Sequence, residues 1–169
     1  MNNRWYDRDP ACPRLIKQIQ GMQQPELREF CARTLINFCE KLRKEIQLKD
    51  RKNRGINSIG LTALTGLYRF GQRRRRWYDQ EPALHKAVGM LYSLPEIGLS
   101  VIAYKLGDTF GLLQIYSIVC SQVDQPPNMK DIAKITTTAL KTGKEEAESI
   151  LVSLIGSDLY RALSPKVND

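Results

Sequence analysis

The sequence predicts an all-α protein, a compact bundle of six to eight helices within one domain. Apolar residues repeat at steps of three and four over most of the 169 residues, which is the period of an amphipathic helix. Sustained alternation of apolar and polar residues, the period of a half-buried strand, does not occur. We expect a main bundle over residues 4–124 and a C-terminal helical hairpin, residues 128–163, packed on it.

The first two predicted helices cover residues 9–22 and 25–48. The second begins at Pro25, which suits a first helical turn because an N–H at that position would have no partner within the helix. Glu29 and Arg33 stand four residues apart on its polar side, where an ion pair supports a helix. Its apolar stripe advances by three or four residues and consists of Leu27, Cys31, Leu35, Phe38, Leu42 and Ile46.

The central part of the sequence is read as four helices. The pattern over residues 56–70 keeps helical phase although it contains two glycines, and residues 80–93 are moderately amphipathic. Residues 95–106 and 109–122 are apolar on nearly every side, with Gly107-Asp108 as the expected break between them. Helices that are apolar all round belong at the centre of a fold. These two are therefore the predicted core.

The C-terminal part predicts two further helices. Asn128 is an expected N-cap for residues 129–141. Thr142 and Glu145 have the spacing of a capping box for a helix over residues 143–163. The predicted inward positions are Ile132, Ile135, Ala139 and Leu140 in the first helix and Ala147, Ile150, Leu151, Leu154, Ile155 and Leu159 in the second.

A short motif occurs twice, 72 residues apart, as Arg-Trp-Tyr-Asp-Arg-Asp-Pro at residues 4–10 and Arg-Trp-Tyr-Asp-Gln-Glu-Pro at residues 76–82. The repeat suggests an internal duplication of a motif-helix unit. One interpretation is a helix entry, with Asp7 and Asp79 as N-caps and each proline in the first turn. In that case the tryptophans act as hydrophobic staples. The other interpretation is a pair of aromatic docking platforms formed by Trp5, Tyr6, Trp77 and Tyr78.

On this motif the chain resembles small uncharacterised cyanobacterial all-helical proteins, in which the same Arg-Trp-Tyr-Asp-x-acid-Pro sequence precedes an apolar helix. The resemblance covers the two motif copies and the helices that follow them. It implies an all-helical fold, and it implies no activity, cofactor or site residue.

The sequence offers little for catalysis. Cys12, Cys31, Cys39 and Cys120 form no CxxC pair, and His85 is the only histidine, with Glu81 as its one carboxylate at helical spacing. We therefore expect no metal site, no cofactor and no enzyme. Buried, reduced thiols favour a cytoplasmic location. The most apolar stretch, residues 97–123, contains Lys105 and Asp108, so no membrane span is expected.

The positive charge is concentrated in one segment. Residues 41–76 contain 12 basic and 2 acidic side chains, in a chain of net charge +8. The basic residues are expected to occupy two junctions between helices, with aromatic residues beside the second. Arginine and lysine suit phosphate oxygens, and aromatic rings stack on unpaired bases. The candidate anion-binding residues are Lys49, Arg51, Lys52, Arg54, Arg69, Arg73, Arg74, Arg75 and Arg76.

Two functions stay open on this basis. The basic segment predicts a non-catalytic module that docks on an anionic macromolecule, with the nucleic-acid backbone as the first choice and an acidic protein surface as the second. The alternative is a protein-interaction or scaffold subunit of a larger assembly. Self-association is compatible with either function. A run of charges is also often no more than a solvated surface.

Overall fold

The computed structural model describes residues 11–53 and 80–168, and these residues fold into helices without any strand, which confirms the all-α class. The helix predicted over residues 56–70 lies outside the described residues, as do residues 4–10 and 76–79 of the repeated motif. Seven helices are described: α1 (Ala11–Gln20), α2 (Pro25–Asn53), α3 (Pro82–Tyr92), α4 (Glu96–Gln122), α5 (Met129–Lys141), α6 (Lys144–Ile155) and α7 (Ser157–Asn168).

Helix α4 is the centre of the fold. The predicted break at Gly107-Asp108 is wrong, because residues 96–122 form one continuous helix. A glycine inside a helix costs only about 1 kcal/mol relative to alanine. The free energy gained by burying apolar side chains on either side of Gly107 exceeds that cost, since Leu106, Phe110 and Leu113 are shielded completely from solvent. The prediction that this region forms the core is confirmed.

The other helices cover α4 from several sides. Helices α1, α2, α5, α6 and α7 all contact it, and α3 packs against α2. The predicted stripe of α2 is buried as far as Leu35, whereas Phe38, Leu42 and Ile46 are half-buried. A single cluster of buried apolar side chains runs through the described part of the chain, from Leu15 in α1 to Leu163 in α7.

Helix α2 runs antiparallel to α4. The ammonium nitrogen of Lys105 lies 5.9 Å from the ring centre of Phe38. Further along both helices, a Cβ at Gly98 would lie 3.4 Å from Leu42 Cδ2. The residue number therefore rises along α2 while it falls along α4. The C-terminal half of α2 consequently runs alongside the N-terminal half of α4.

The C-terminal helices differ from the prediction in two respects. The helix expected over residues 143–163 is two helices, which are separated by Gly156 at φ +93°. The capping box of Thr142 and Glu145 does not form, because the N-cap of α6 is Gly143, at φ +132°. Backbone with such large positive φ angles is almost restricted to glycine.

The predicted cap is confirmed, and seven of the ten predicted inward positions lie in or against the core, with Ala139, Ile150 and Ile155 half-buried there. The Asn128 side chain accepts a hydrogen bond from the Lys130 amide at 3.0 Å. The predicted inward positions Leu140, Leu154 and Leu159 are exposed instead. Fully buried are Ile132, Ile135, Ala147 and Leu151.

The start of α3 also corrects a prediction. Glu81, and not Asp79, is the N-cap residue, and Pro82 follows it in the first turn. The Glu81 carboxylate makes no capping hydrogen bond. It accepts a hydrogen bond from Arg28 Nε at 2.8 Å, and the same guanidinium donates to the Met22 carbonyl at 2.8 Å. Arg28 thus joins the α1–α2 turn to the beginning of α3.

Glycine substitutions test the backbone of α4 and of the α6–α7 junction. A Cβ at Gly107 would meet no neighbouring atom within 4 Å. We expect Gly107→Ala to raise the free energy of unfolding by about 1 kcal/mol. The matched variant Gly156→Ala is expected to lower it by about 1–3 kcal/mol, because alanine is strained at φ +93°. Urea unfolding measures both, and a lower midpoint for Gly107→Ala would contradict the open space at this position.

Two arginines of α2 allow a comparison of ion pairs. Arg28 and Glu81 are 20% and 28% exposed, whereas Arg33 and Glu29 are 70% and 53% exposed, and both pairs are 2.8 Å apart. We expect Arg28→Met to lower the free energy of unfolding by about 1–3 kcal/mol, because it leaves half-buried acceptors without a donor. Arg33→Met should change it by at most about 0.5 kcal/mol. Equal losses in thermal or urea unfolding would contradict the joining role of Arg28.

Candidate functional site

The described part of the predicted anion-binding set lies on α2. Lys49, Arg51 and Lys52 were expected in a loop, and this expectation is wrong because α2 continues to Asn53. Lys49 is exposed. The side chains of Arg51 and Lys52 lie outside the described part. The remaining predicted site residues are also outside it: Arg54, Arg69, Arg73, Arg74, Arg75, Arg76, Trp5, Tyr6, Trp77 and Tyr78.

The local sequence explains why α2 extends past Leu48. Glycine and proline are absent from residues 49–53, and the first glycine is Gly55. Acidic residues precede lysines by four positions at Glu40/Lys44 and Glu45/Lys49, the spacing and order that stabilise a helix. Basic residues near its C-terminal end also complement the helix dipole. These signals were available from the sequence.

The C-terminal half of α2 is accessible, and its cations outnumber its carboxylates, since residues 40–49 contain four basic side chains and the two acidic ones of Glu40 and Glu45. Among the α2 residues whose burial is described, Cys39 is the last buried one, because none of residues 40–49 is buried. The side chains of Lys41, Lys44 and Lys49 are all exposed. At 1.5 Å per residue these three lysines lie within about 12 Å along the helix axis. We call Lys41, Lys44 and Lys49 the α2 lysines.

Helix α5 carries a second set of exposed cations, which the sequence analysis missed. Lys130, Lys134 and Lys141 are exposed and follow one face at steps of four and seven residues. Asp131 interacts electrostatically with Tyr116 and Cys120 of α4. Asp131 is the one carboxylate of α5 and is half-buried, so the fully exposed charges of this helix are cations. We call Lys130, Lys134 and Lys141 the α5 lysines.

A cleft of about 230 Å³ lies between α2, α4 and the α5–α6 turn. Tyr104 forms part of its wall and is 83% exposed. Tyr104 belongs to residues 95–106, which were predicted to form part of the core, although the neighbouring Ser100, Lys105 and Asp108 indicate a polar face. The lining consists of Phe38, Tyr104, Lys105, Asp108, Thr109, Ala139, Leu140, Gly143 and Lys144.

The cleft lies between the two sets of lysines. Phe38 lines the cleft and precedes Lys41 by one helical turn on α2. Leu140 lines the opposite side and directly precedes Lys141 on α5. Within the cleft Lys144 Nζ lies 3.8 Å from Asp108 and 3.9 Å from Glu148. The charged residues of the lining are Lys105, Lys144 and Asp108, and Glu148 lies beside them, so the cleft has little net charge, whereas cations begin on both of its sides.

The three thiols whose surroundings the structure describes are unsuited to nucleophilic chemistry. Cys31, Cys39 and Cys120 are buried, and the Cys31 sulfur lies 3.3 Å from the sulfur of Met22. Burial raises the pKa of Cys31 far above its usual range. Burial also raises the pKa of Cys120, although its hydrogen bond with Tyr116 opposes the shift. Such thiols stay protonated at neutral pH, and the thiolate is the reactive form.

Glu81 stands four residues before His85, at the start of α3. The carboxylate at i−4 is engaged by the Arg28 guanidinium, which ties it to the α1–α2 turn. Among the described residues, no three His, Cys, Asp or Glu side chains come together as a group that could hold a metal ion. Neither is any helix in residues 11–53 and 80–168 long and apolar enough to cross a bilayer.

Comparison of the chain with protein-family models, with curated proteins and with solved structures yields no match. We therefore infer function from the accessible cations of α2 and α5 and from the cleft between them.

Proposed function

We propose that the protein is a non-catalytic binding module whose basic surface docks on the backbone of a nucleic acid. The observation that supports it best is the accessible C-terminal half of α2, on which Lys41, Lys44 and Lys49 are exposed. Cations in this setting exchange bound water and counterions for phosphate contacts with little structural rearrangement.

The distribution of charge supports the same function. The excess of cations over residues 41–76 is ten, which exceeds the net charge of +8 for the whole chain. A concentrated positive segment attracts polyanions at long range and orients them on approach. The α2 lysines lie at the beginning of this segment, on a regular helix that fixes their spacing.

A protein-interaction subunit is the second candidate function. It is favoured by the exposed apolar side chains of α4, where Ile97 is 74% and Tyr104 is 83% exposed. Large exposed apolar groups that lie close together often mark protein-binding surfaces. Under this alternative the cations give solubility and steer the partner, and the aromatic and aliphatic groups supply most of the affinity.

The buried thiols also support a location for this module. Cys31 and Cys120 are held as thiols inside the core, a state that persists in a reducing compartment. We therefore propose the cytoplasm as the location in which the module meets its nucleic acid.

Neutralising the α2 lysines tests the proposed function. We expect the triple variant Lys41→Gln/Lys44→Gln/Lys49→Gln to bind nucleic acid more weakly than the unmodified protein. The slope of log K against log salt concentration should shrink by about two to three, since each lost phosphate contact removes about 0.7–0.9. Fluorescence anisotropy over a range of salt concentrations measures this slope.

The matched control neutralises three exposed cations on other helices, Lys17, Lys86 and Arg161. It has the same net charge as the test variant, so long-range attraction falls equally in both. An equal change of slope in the two variants would contradict docking through α2. Recovery of one stoichiometric protein from a nuclease-treated native extract, without nucleic-acid binding by the purified protein, would favour the protein-interaction function.

A further inference from the structure

The α5 lysines form a surface with a single sign of charge. Lys130, Lys134 and Lys141 are exposed along one face of α5, over about 16 Å of helix. Asp131, the carboxylate of this helix, is half-buried, so the fully exposed charges along α5 are all positive. The residues between the lysines on this face are uncharged, including the exposed Thr137. A row of this kind suits successive phosphates of a nucleic-acid strand.

The cleft next to this row suits a different chemical group. Its volume of about 230 Å³ is below the 300–1,000 Å³ typical of sites for drug-sized ligands. Of its two lysines, Lys144 is compensated, because its Nζ lies within 4 Å of both Asp108 and Glu148, and Lys105 lies over the Phe38 ring. A small cleft with little net charge and an exposed ring, Tyr104, favours a planar uncharged group over a phosphate.

The base and the phosphate of a nucleotide match these two neighbouring features. Leu140 is in the wall of the cleft, and the adjacent Lys141 is the last of the α5 lysines. We propose that this surface binds single-stranded nucleic acid, with phosphates on the α5 lysines and one base against the Tyr104 ring. The proposal rests on the proposed function and adds to it a second contact surface and the form of the ligand.

The exposed ring selects the single strand over the duplex. Bases in a duplex are stacked on their neighbours and present only their edges, so a protein ring cannot cover their faces without extracting them. An unpaired base has a free face, and aromatic stacking with a cationic groove alongside is the usual way to bind single strands. Tyr104 is 83% exposed and therefore needs no rearrangement to receive a base.

Anisotropy with a labelled oligothymidylate of about 15 nucleotides, and with a duplex of the same length, tests this proposal. Tyr104→Ala should weaken single-strand binding by about fivefold or more, and Tyr104→Phe, which keeps the ring, should bind as the unmodified protein does. Lys130→Gln/Lys134→Gln should reduce the salt slope by about 1.4. The control Lys17→Gln/Lys86→Gln removes the same charge elsewhere.

The possible results separate the two proposals. Absence of binding by the unmodified protein at low salt would overturn the proposed function and this inference together. Binding that the Tyr104→Ala and Lys130→Gln/Lys134→Gln variants leave at the level of the control would overturn the inference alone. Tighter binding of the duplex, unaffected by Tyr104→Ala, would overturn the single-stranded ligand. Circular dichroism melting of each variant verifies that these exposed substitutions leave the fold intact.

Discussion

The burial of helix α4 is the constraint on which the structure depends. Five helices contact it, and side chains such as Leu106, Phe110 and Leu113 are removed completely from water. Burial of each contributes about 1.5–3 kcal/mol, so the sum along the helix far exceeds the cost of its internal glycines. This arrangement also determines which residues of α4 lie on the surface, because the part that its neighbours leave uncovered presents Ile97 and Tyr104 to solvent.

Sequence periodicity predicted the helices better than their boundaries. Steps of three and four residues identify which positions are apolar, and this was enough for the fold class and for the buried stripe of α2 up to Leu35. Glycine was the main source of error. Gly107 was read as a break and lies inside α4, whereas Gly156 was read as helix and ends α6. The intrinsic helix propensity is that of glycine at both positions, so the burial of the surrounding side chains decides whether the helix continues.

The candidate site was only partly visible in the sequence, for a related reason. Net charge identified the segment that contains Lys49, but not the α5 lysines, because residues 129–169 contain six basic and six acidic side chains. Their separation onto different surfaces depends on helix orientation, which composition does not record. Tyr104 was hidden in the same way inside an apolar stretch, since exposure along α4 is decided by the helices that pack on it.

The positions of the cations around the cleft have an electrostatic consequence. The α2 lysines begin one turn beyond Phe38, and the α5 lysines begin beside Leu140, so both sets diverge from one nearly neutral centre. Each set extends over more than the Debye length of about 8 Å at physiological salt. The lysines at the two ends therefore act on a ligand mainly through direct contact and only weakly through a common field. A long flexible polyanion gains most from this arrangement, because it can reach both sets at once, whereas a compact anion reaches only a few lysines.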